Sequence, residues 1–295
     1  MKKMLFIVNP RAGKGMIKNK ILPIAEQFTQ AGYLVTLYPT GAPLDAKKIV
    51  MKQGKKYDVI VCSGGDGTLD EVAAGMQLGQ VERPVGYIPC GTTNDYARSV
   101  GLPRDPMKAA QVIVNGHVGG LDLGAFDDKF FVYVAAFGAF TDVSYSTSQN
   151  KKNALGHFAY IVDGMMSLPN LQSYHMNISC DGEELEGDYI YGMVTNSLSV
   201  GGFKSVVRKV AVLDDGVFEV LLVKTPKNPM ELQTIVSALL RGDFSSEFVQ
   251  LLKAEHIVFR SEAPIPWALD GEFGGDHMEA DIVNHQGALQ LFLKK

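Results

Sequence analysis

Three short loops carry the residue types that hold phosphate, and each follows a run of apolar residues. They are Asn9-Pro10-Arg11-Ala12-Gly13-Lys14-Gly15, Ser63-Gly64-Gly65-Asp66-Gly67-Thr68 and Pro89-Cys90-Gly91-Thr92-Thr93-Asn94-Asp95. Glycine lets the backbone take positive φ and come close to a bound group. A helix starting in such a loop offers free N–H groups and the positive end of its dipole to an anion. One such loop reads equally well as a helix cap or tight turn; three on neighbouring strand ends point to a phosphate cradle. The spacing G-x-x-x-x-G-K-[ST] is absent, because Gly13-Lys14 is followed by Gly15, and no G-x-G-x-x-G follows a strand. The cradle is therefore neither a P-loop nor an ordinary dinucleotide fingerprint.

Acidic residues supply the second kind of chemistry. Asp66 lies inside the second loop, where phosphate would repel it unless Mg²⁺ lay between them; a helix-capping aspartate is the equal alternative. Asp-Gly recurs at Asp66, Asp163, Asp181, Asp215 and Asp270, and a β-turn is its usual reason. Two of the five stand out by context. Leu269-Asp270-Gly271-Glu272 sets two carboxylates two residues apart after an apolar run, as phosphoryl transfer needs to accept a hydroxyl proton and to order Mg²⁺ or water. Leu213-Asp214-Asp215-Gly216-Val217 fits a hairpin or a small oxygen-ligand metal site completed by carbonyls. The six histidines show no metal-ligand spacing, and Ser63 is not in a G-x-S-x-G elbow.

The elements that must position these residues follow from periodicity. Met4–Val8, Leu34–Tyr38, Asp58–Cys62 and Val85–Pro89 read as strands, alternating with helical patterns at 17–28, 69–76 and 107–114. Such alternation predicts a parallel sheet covered on both faces, with ligands at the carboxyl ends of its strands. Beyond Gly124 the texture changes to strands at 130–137, 174–179, 188–196, 218–224, 256–260 and 278–283, interrupted by helices near 154–168 and 230–240. The expectation is an α/β plus β protein. A doubly wound parallel-sheet domain spans 1–123 together with 287–295, and an antiparallel β-sandwich spans 124–286. The last run, 288–293, closes either domain on this reading. Phe158, Tyr160, Ile161, Met165 and Met166 form an apolar segment that suits core packing or contact with a lipid.

Composition narrows the partners. The 295 residues carry a net charge of −4 without a basic run, which argues against nucleic acid. Three dispersed cysteines suit a reducing compartment. The apolar run after Met1-Lys2-Lys3 is too short for a signal peptide, and no run approaches the ~18 apolar residues of a membrane span. A soluble, cytoplasmic protein is expected.

Taken together in this order, Asn9-Pro10 with Gly13, Gly64-Gly65-Asp66-Gly67-Thr68, Pro89 with Gly91-Thr92 and Asn94-Asp95, Leu121-Asp122-Leu123-Gly124, Asp214-Asp215-Gly216 and Leu269-Asp270-Gly271-Glu272 closely resemble the diacylglycerol kinase catalytic-domain family, in its soluble bacterial branch. Sphingosine and ceramide kinases are more distant relatives, and NAD kinases share the Gly-Gly-Asp-Gly core. The resemblance covers nearly the whole chain and implies an ATP- and Mg²⁺-dependent kinase of a lipid hydroxyl, with diacylglycerol as the default acceptor and a cleft between two domains. It implies an ATP site at Asn9, Pro10, Arg11, Ala12, Gly13, Thr40, Gly65, Asp66, Gly67, Thr68, Leu69, Asp70, Glu71 and Thr92, with Asn94 and Asp95 in the same loop. It makes Asp270 the proton acceptor, a role that some relatives give to the acid two residues on, here Glu272. Asp122 would join a Mg²⁺–water network, and a structural Mg²⁺ would sit on Asp215 with the carbonyls of Val212 and Val217. Arg11-Ala12 departs from the small hydroxyl residues of many relatives, which alters loop contacts without removing the backbone cradle. The implied partner is a lipid met by transient peripheral contact at the inner membrane face, with a homodimer left open. An NAD kinase and a nucleotide-binding regulator without turnover are the alternatives.

Overall fold

The computed structural model describes residues 1–138, 171–196, 199–200, 203–204, 212–241, 244 and 246–295. The helix expected over 154–168, with Phe158 to Met166, lies outside the described residues. The chain divides into two units, Met1–Asp122 with Gln286–Lys295, and Leu123–His285.

The first unit alternates strand and helix. In chain order it contains β1 (Lys2–Val8), α1 (Ile21–Gln30), β2 (Tyr33–Pro39), α2 (Asp45–Gln53), β3 (Val59–Gly64), α3 (Asp66–Gly79), β4 (Val85–Pro89), α4 (Asp95–Ser99), α5 (Pro106–Asn115) and the start of β5 (His117–Phe126). β1 pairs in parallel with β2 and β3, and β3 in parallel with β4, giving the order β2-β1-β3-β4. The parallel bridge Leu291↔Val85 adds the chain's last run to this sheet. The central strands β3 and β4 are buried throughout, as expected of a parallel sheet covered on both faces. Alternation along the strands then sorts the core. Met4, Phe6, Val8, Val59, Val61 and Ile88 pack with Ile24 and Phe28 of α1 and Ala109, Ala110 and Ile113 of α5. The opposite residues, among them Cys62 and Tyr87, look the other way.

The second unit is antiparallel. β6 (Lys129–Phe131), β7 (Val134–Gly138), β8 (Tyr174–Cys180), β9 (Glu183–Thr195), the short pair β10 (Ser199–Val200) and β11 (Phe203–Lys204), β12 (Phe218–Lys224), α6 (Pro229–Arg241), β13 (Val249–Ala254), β14 (His256–Leu269) and β15 (Glu272–Leu293) follow in order. β9 and β14 are long enough to serve two neighbourhoods. β14 pairs with β8 over Ile257–Ser261 and with β7 over Trp267–Leu269. β9 likewise passes from β8 to β7 and β12. Strands that change partners in this way fold a sheet over its own core as a sandwich. Trp267 sits at the centre, with the rings of Phe126, Phe137 and Phe259 at 5.0, 5.0 and 5.1 Å.

One expected strand is broken. The apolar run 130–137 divides into β6 and β7 at Val132-Tyr133. The cause is local: the N–H groups of Val132, Tyr133 and Val134 are turned onto the carboxylate of Asp270. No helix among the described residues is long and apolar enough to cross a membrane.

Candidate active site

In the first unit the three glycine loops pack directly on one another at the carboxyl ends of β1, β3 and β4. The N–H of Asn9 donates to the Ser63 carbonyl at 2.8 Å, and the N–H groups of Cys90 and Gly91 both reach the Gly64 carbonyl, at 2.6 and 3.1 Å. A side chain on Gly13 would start 2.0 Å from the Cys90 carbonyl oxygen, and Gly13 has φ +51°; one on Gly91 would start 2.6 Å from the Cα of Gly65. Glycine is required at both positions because backbone already fills the space.

Side chains then fix the loops. Asn9 accepts from the Arg11 N–H at 3.0 Å and donates to the Thr68 hydroxyl at 3.2 Å, tying the first loop to the second. Asn94, in the left-handed region at φ +53°, exchanges two 2.8 Å hydrogen bonds with the backbone of Gly91. Gly65 is the N-cap of α3, so Asp66 is the first residue of that helix. Its carboxylate accepts the Tyr87 hydroxyl at 3.2 Å on Oδ1 and the Asp95 N–H at 2.9 Å on Oδ2, joining the second and third loops. Arg11 and Thr92 are exposed, while Pro10, Ala12, Thr40, Gly67 and Asp70 are half-buried and Leu69 lies in the core. The Thr40 N–H donates to Val8 at 2.9 Å, setting it at the same strand end as the first loop. Glu71 instead caps the start of α2, its two oxygens accepting the N–H groups of Leu44 and Ala46 at 2.9 and 3.0 Å. Asp122 is fully buried on β5 and accepts the Gly287 N–H at 2.9 Å.

In the second unit, Asp270 and Gly271 join β14 to β15 with φ of +50° and +85°, the signs of a type I′ hairpin turn. Asp270 is buried, and its carboxylate accepts three backbone N–H groups, from Val132 at 2.6 Å, Tyr133 at 3.0 Å and Val134 at 2.8 Å. The Tyr133 hydroxyl donates to the Asp270 carbonyl at 3.0 Å. Glu272, the first residue of β15, is exposed. Thus two neighbouring acids, alike in sequence, differ sharply in surroundings.

A model of the diacylglycerol kinase catalytic domain matches residues 3–126, and a model of the YegS C-terminal NAD kinase beta sandwich-like domain matches residues 135–292. A diacylglycerol kinase of Bacillus subtilis (strain 168) is 32% identical across 100% of this chain and 97% of its own length. The chain belongs to the diacylglycerol kinase family. A diacylglycerol kinase of Staphylococcus carnosus (strain TM300) is also 32% identical, over 100% of this chain and 96% of that protein. A crystal structure of a candidate diacylglycerol kinase from Bacillus anthracis (strain Sterne) superposes with a TM-score of 0.85 at 26% identity, covering 99% of this chain and 95% of the other. As a member of this family the chain is a lipid kinase, a phosphotransferase whose acceptor is an alcohol group.

The acidic turn at 214–216 has company that its spacing did not announce. Asp215 Oδ2 is 2.9 Å from the Lys253 ammonium, which also lies 3.4 Å from Glu219 Oε1. Glu219 is fully buried, and burial pushes its carboxyl up to about 7 against the opposing pull of Lys253. Val217 meets Asp215 through its N–H, at 3.4 Å, and Val212 is exposed. Among the described residues, no three His, Cys, Asp or Glu side chains gather as a metal site. Tyr87, Tyr133 and Lys253 are the residues at these sites that motif reading missed. For Tyr87 a signal existed: a phenol in an otherwise apolar central strand must find a partner for its hydroxyl.

Proposed function

We propose that this lipid kinase transfers the γ-phosphoryl of ATP, with Mg²⁺, to the free hydroxyl of diacylglycerol, giving phosphatidic acid. The observation that carries this reading is the mutual packing of three glycine loops at one end of the parallel sheet, with Asp66 at the head of α3 between them. Backbone N–H groups and the dipole of α3 suit the phosphates. The carboxylate of Asp66 has about four lone-pair sites. A hard-oxygen carboxylate set among glycine loops is the donor type that a phosphate-bound Mg²⁺ takes, so the residues present fit the ion. When bound through Asp66, the ion would supply positive charge to offset the negative charge that develops on transfer. Arg11, Thr40, Thr68 and Thr92 would line the nucleotide, and buried Asp122 would act as a positioning residue.

The two acids of the hairpin take different parts. A carboxylate holding three backbone N–H groups has its lone pairs committed and its charge stabilised, which makes it a poor proton acceptor. Glu272, two residues on and exposed, is the better acceptor for the lipid hydroxyl's proton, and Asp270 holds the turn that presents it. The lipid would be met at a membrane surface by transient contact.

The test is an assay with γ-labelled ATP and Mg²⁺ against diacylglycerol in mixed micelles, with sphingosine and NAD as separate acceptors. Label should appear in phosphatidic acid and vanish when Mg²⁺ is chelated. Label on NAD alone would overturn the proposal.

A further inference from the structure

The first unit buries a phenol where the sheet meets the candidate nucleotide site. Tyr87 is completely buried in the middle of β4, and its hydroxyl donates to Asp66 Oδ1 at 3.2 Å. A buried hydroxyl left without a partner is costly, so the bond holds both groups in place. The Asp95 N–H takes the other oxygen, Oδ2, at 2.9 Å. Two donors on opposite oxygens, one from rigid strand β4 and one from the loop that ends in α4, fix the plane of the carboxylate.

We propose that Tyr87 is a positioning residue for the kinase reaction, orienting the Asp66 carboxylate toward nucleotide-bound Mg²⁺. This rests on the reading of Asp66 given above. Removing the hydroxyl leaves the ring volume in the core but takes the phenol donor from Oδ1, so the cost should fall on metal affinity and turnover, not on the lipid's KM. Partners that orient metal-binding groups are typically worth about 10–100-fold in affinity or activity when lost.

The experiment compares the full-length protein with Tyr87→Phe and Asp66→Asn. Mn²⁺ binding in the presence of a non-hydrolysable ATP analogue is followed by electron paramagnetic resonance, beside steady-state kinetics. We expect Tyr87→Phe to weaken Mn²⁺ binding about 10-fold and lower kcat by about 10- to 100-fold, with an unchanged KM for diacylglycerol. Adding Tyr87→Phe to Asp66→Asn should change Mn²⁺ binding no further. If Asp66→Asn abolishes Mn²⁺ binding and Tyr87→Phe leaves it intact, the positioning role is overturned while the nucleotide reading stands. If Asp66→Asn has no effect on Mn²⁺ binding, the nucleotide reading itself fails and the proposal with it. Should Tyr87→Phe not fold, 3-fluorotyrosine at position 87 keeps the hydroxyl and alters only its donor strength; unchanged Mn²⁺ affinity there overturns the role.

Discussion

Asp66-Gly67 and Asp270-Gly271 are the same dipeptide put to opposite uses. Asp66 starts a helix at the end of a parallel strand, and one phenol and one N–H hold its carboxylate. Asp270 turns a hairpin in the left-handed region, and three consecutive N–H groups converge on its side chain. In both places the backbone builds a pocket for negative charge. In the second unit the chain fills that pocket with its own aspartate, which makes it an internal fastening between β7 and the β14–β15 turn. In the first unit the glycine loops gather at the strand ends, where the proposed nucleotide would bind. A carboxylate beside converging N–H groups is therefore not by itself a sign of catalysis; what matters is whether its oxygens are already spent.

The sharpest way to break this comparison is to change the two hairpin acids separately. Glu272→Gln should cut turnover by about 10²- to 10⁴-fold, the usual worth of a positioned general base. It should leave urea unfolding unchanged, because Glu272 is exposed. Asp270→Ala should remove about 2–4 kcal/mol from the stability of the second unit by orphaning three buried donors, visible as a lower urea midpoint. If instead Asp270→Asn folds with normal stability and is dead, while Glu272→Gln turns over normally, the assignment is reversed.

Much of the first unit was legible because its signals are local. Glycine follows each of the apolar runs Met4–Val8, Asp58–Cys62 and Val85–Pro89 within a few residues, and that is enough to mark where a strand gives way to a loop. Helix α2 was not legible: of its nine residues only Ala46 and Val50 are buried, too few to make a stripe. The fastening of Asp270 was out of reach for a different reason. Its partners are 136 to 138 positions away, and they lie in a run that reads as one continuous strand. Spacing tells which acids are neighbours along the chain and nothing of which donors the fold will bring to them. The same applies to Lys253, which reaches Glu219 only because β12 and β13 pair in that register.

A smaller effect contrasts the units by pH. The carboxyl of Glu219 titrates near 7 in the folded protein and near 4.5 when the chain is unfolded. Between those values the folded state holds the extra proton, so this group's contribution to stability is complete below pH 4.5 and is lost as pH rises through about 7. Glu219→Gln should therefore flatten the fall in melting temperature between pH 5 and 8, with glutamine standing in for the protonated acid. An unchanged slope would show that another group sets the pH dependence.

The smallest expected effect decides what neutralises Asp215. Lys253 already reaches Asp215, and that pair is partly exposed, so breaking the Asp215 contact should cost about 0.2–1 kcal/mol. A structural Mg²⁺ on Asp215 would have to displace that ammonium or share the carboxylate with it, and a bound ion would stabilise the fold in proportion to the logarithm of its concentration. Melting curves of the parent and of Lys253→Met across a Mg²⁺ series separate the two cases. With the ammonium as resident cation, the parent's midpoint stays flat and only Lys253→Met gains stability as Mg²⁺ rises, because removing the lysine takes the ammonium from the Asp215 carboxylate. A parent midpoint that climbs with Mg²⁺ and is flattened by Asp215→Ala would instead place the metal on Asp215 beside the lysine, and both units would then depend on a divalent ion.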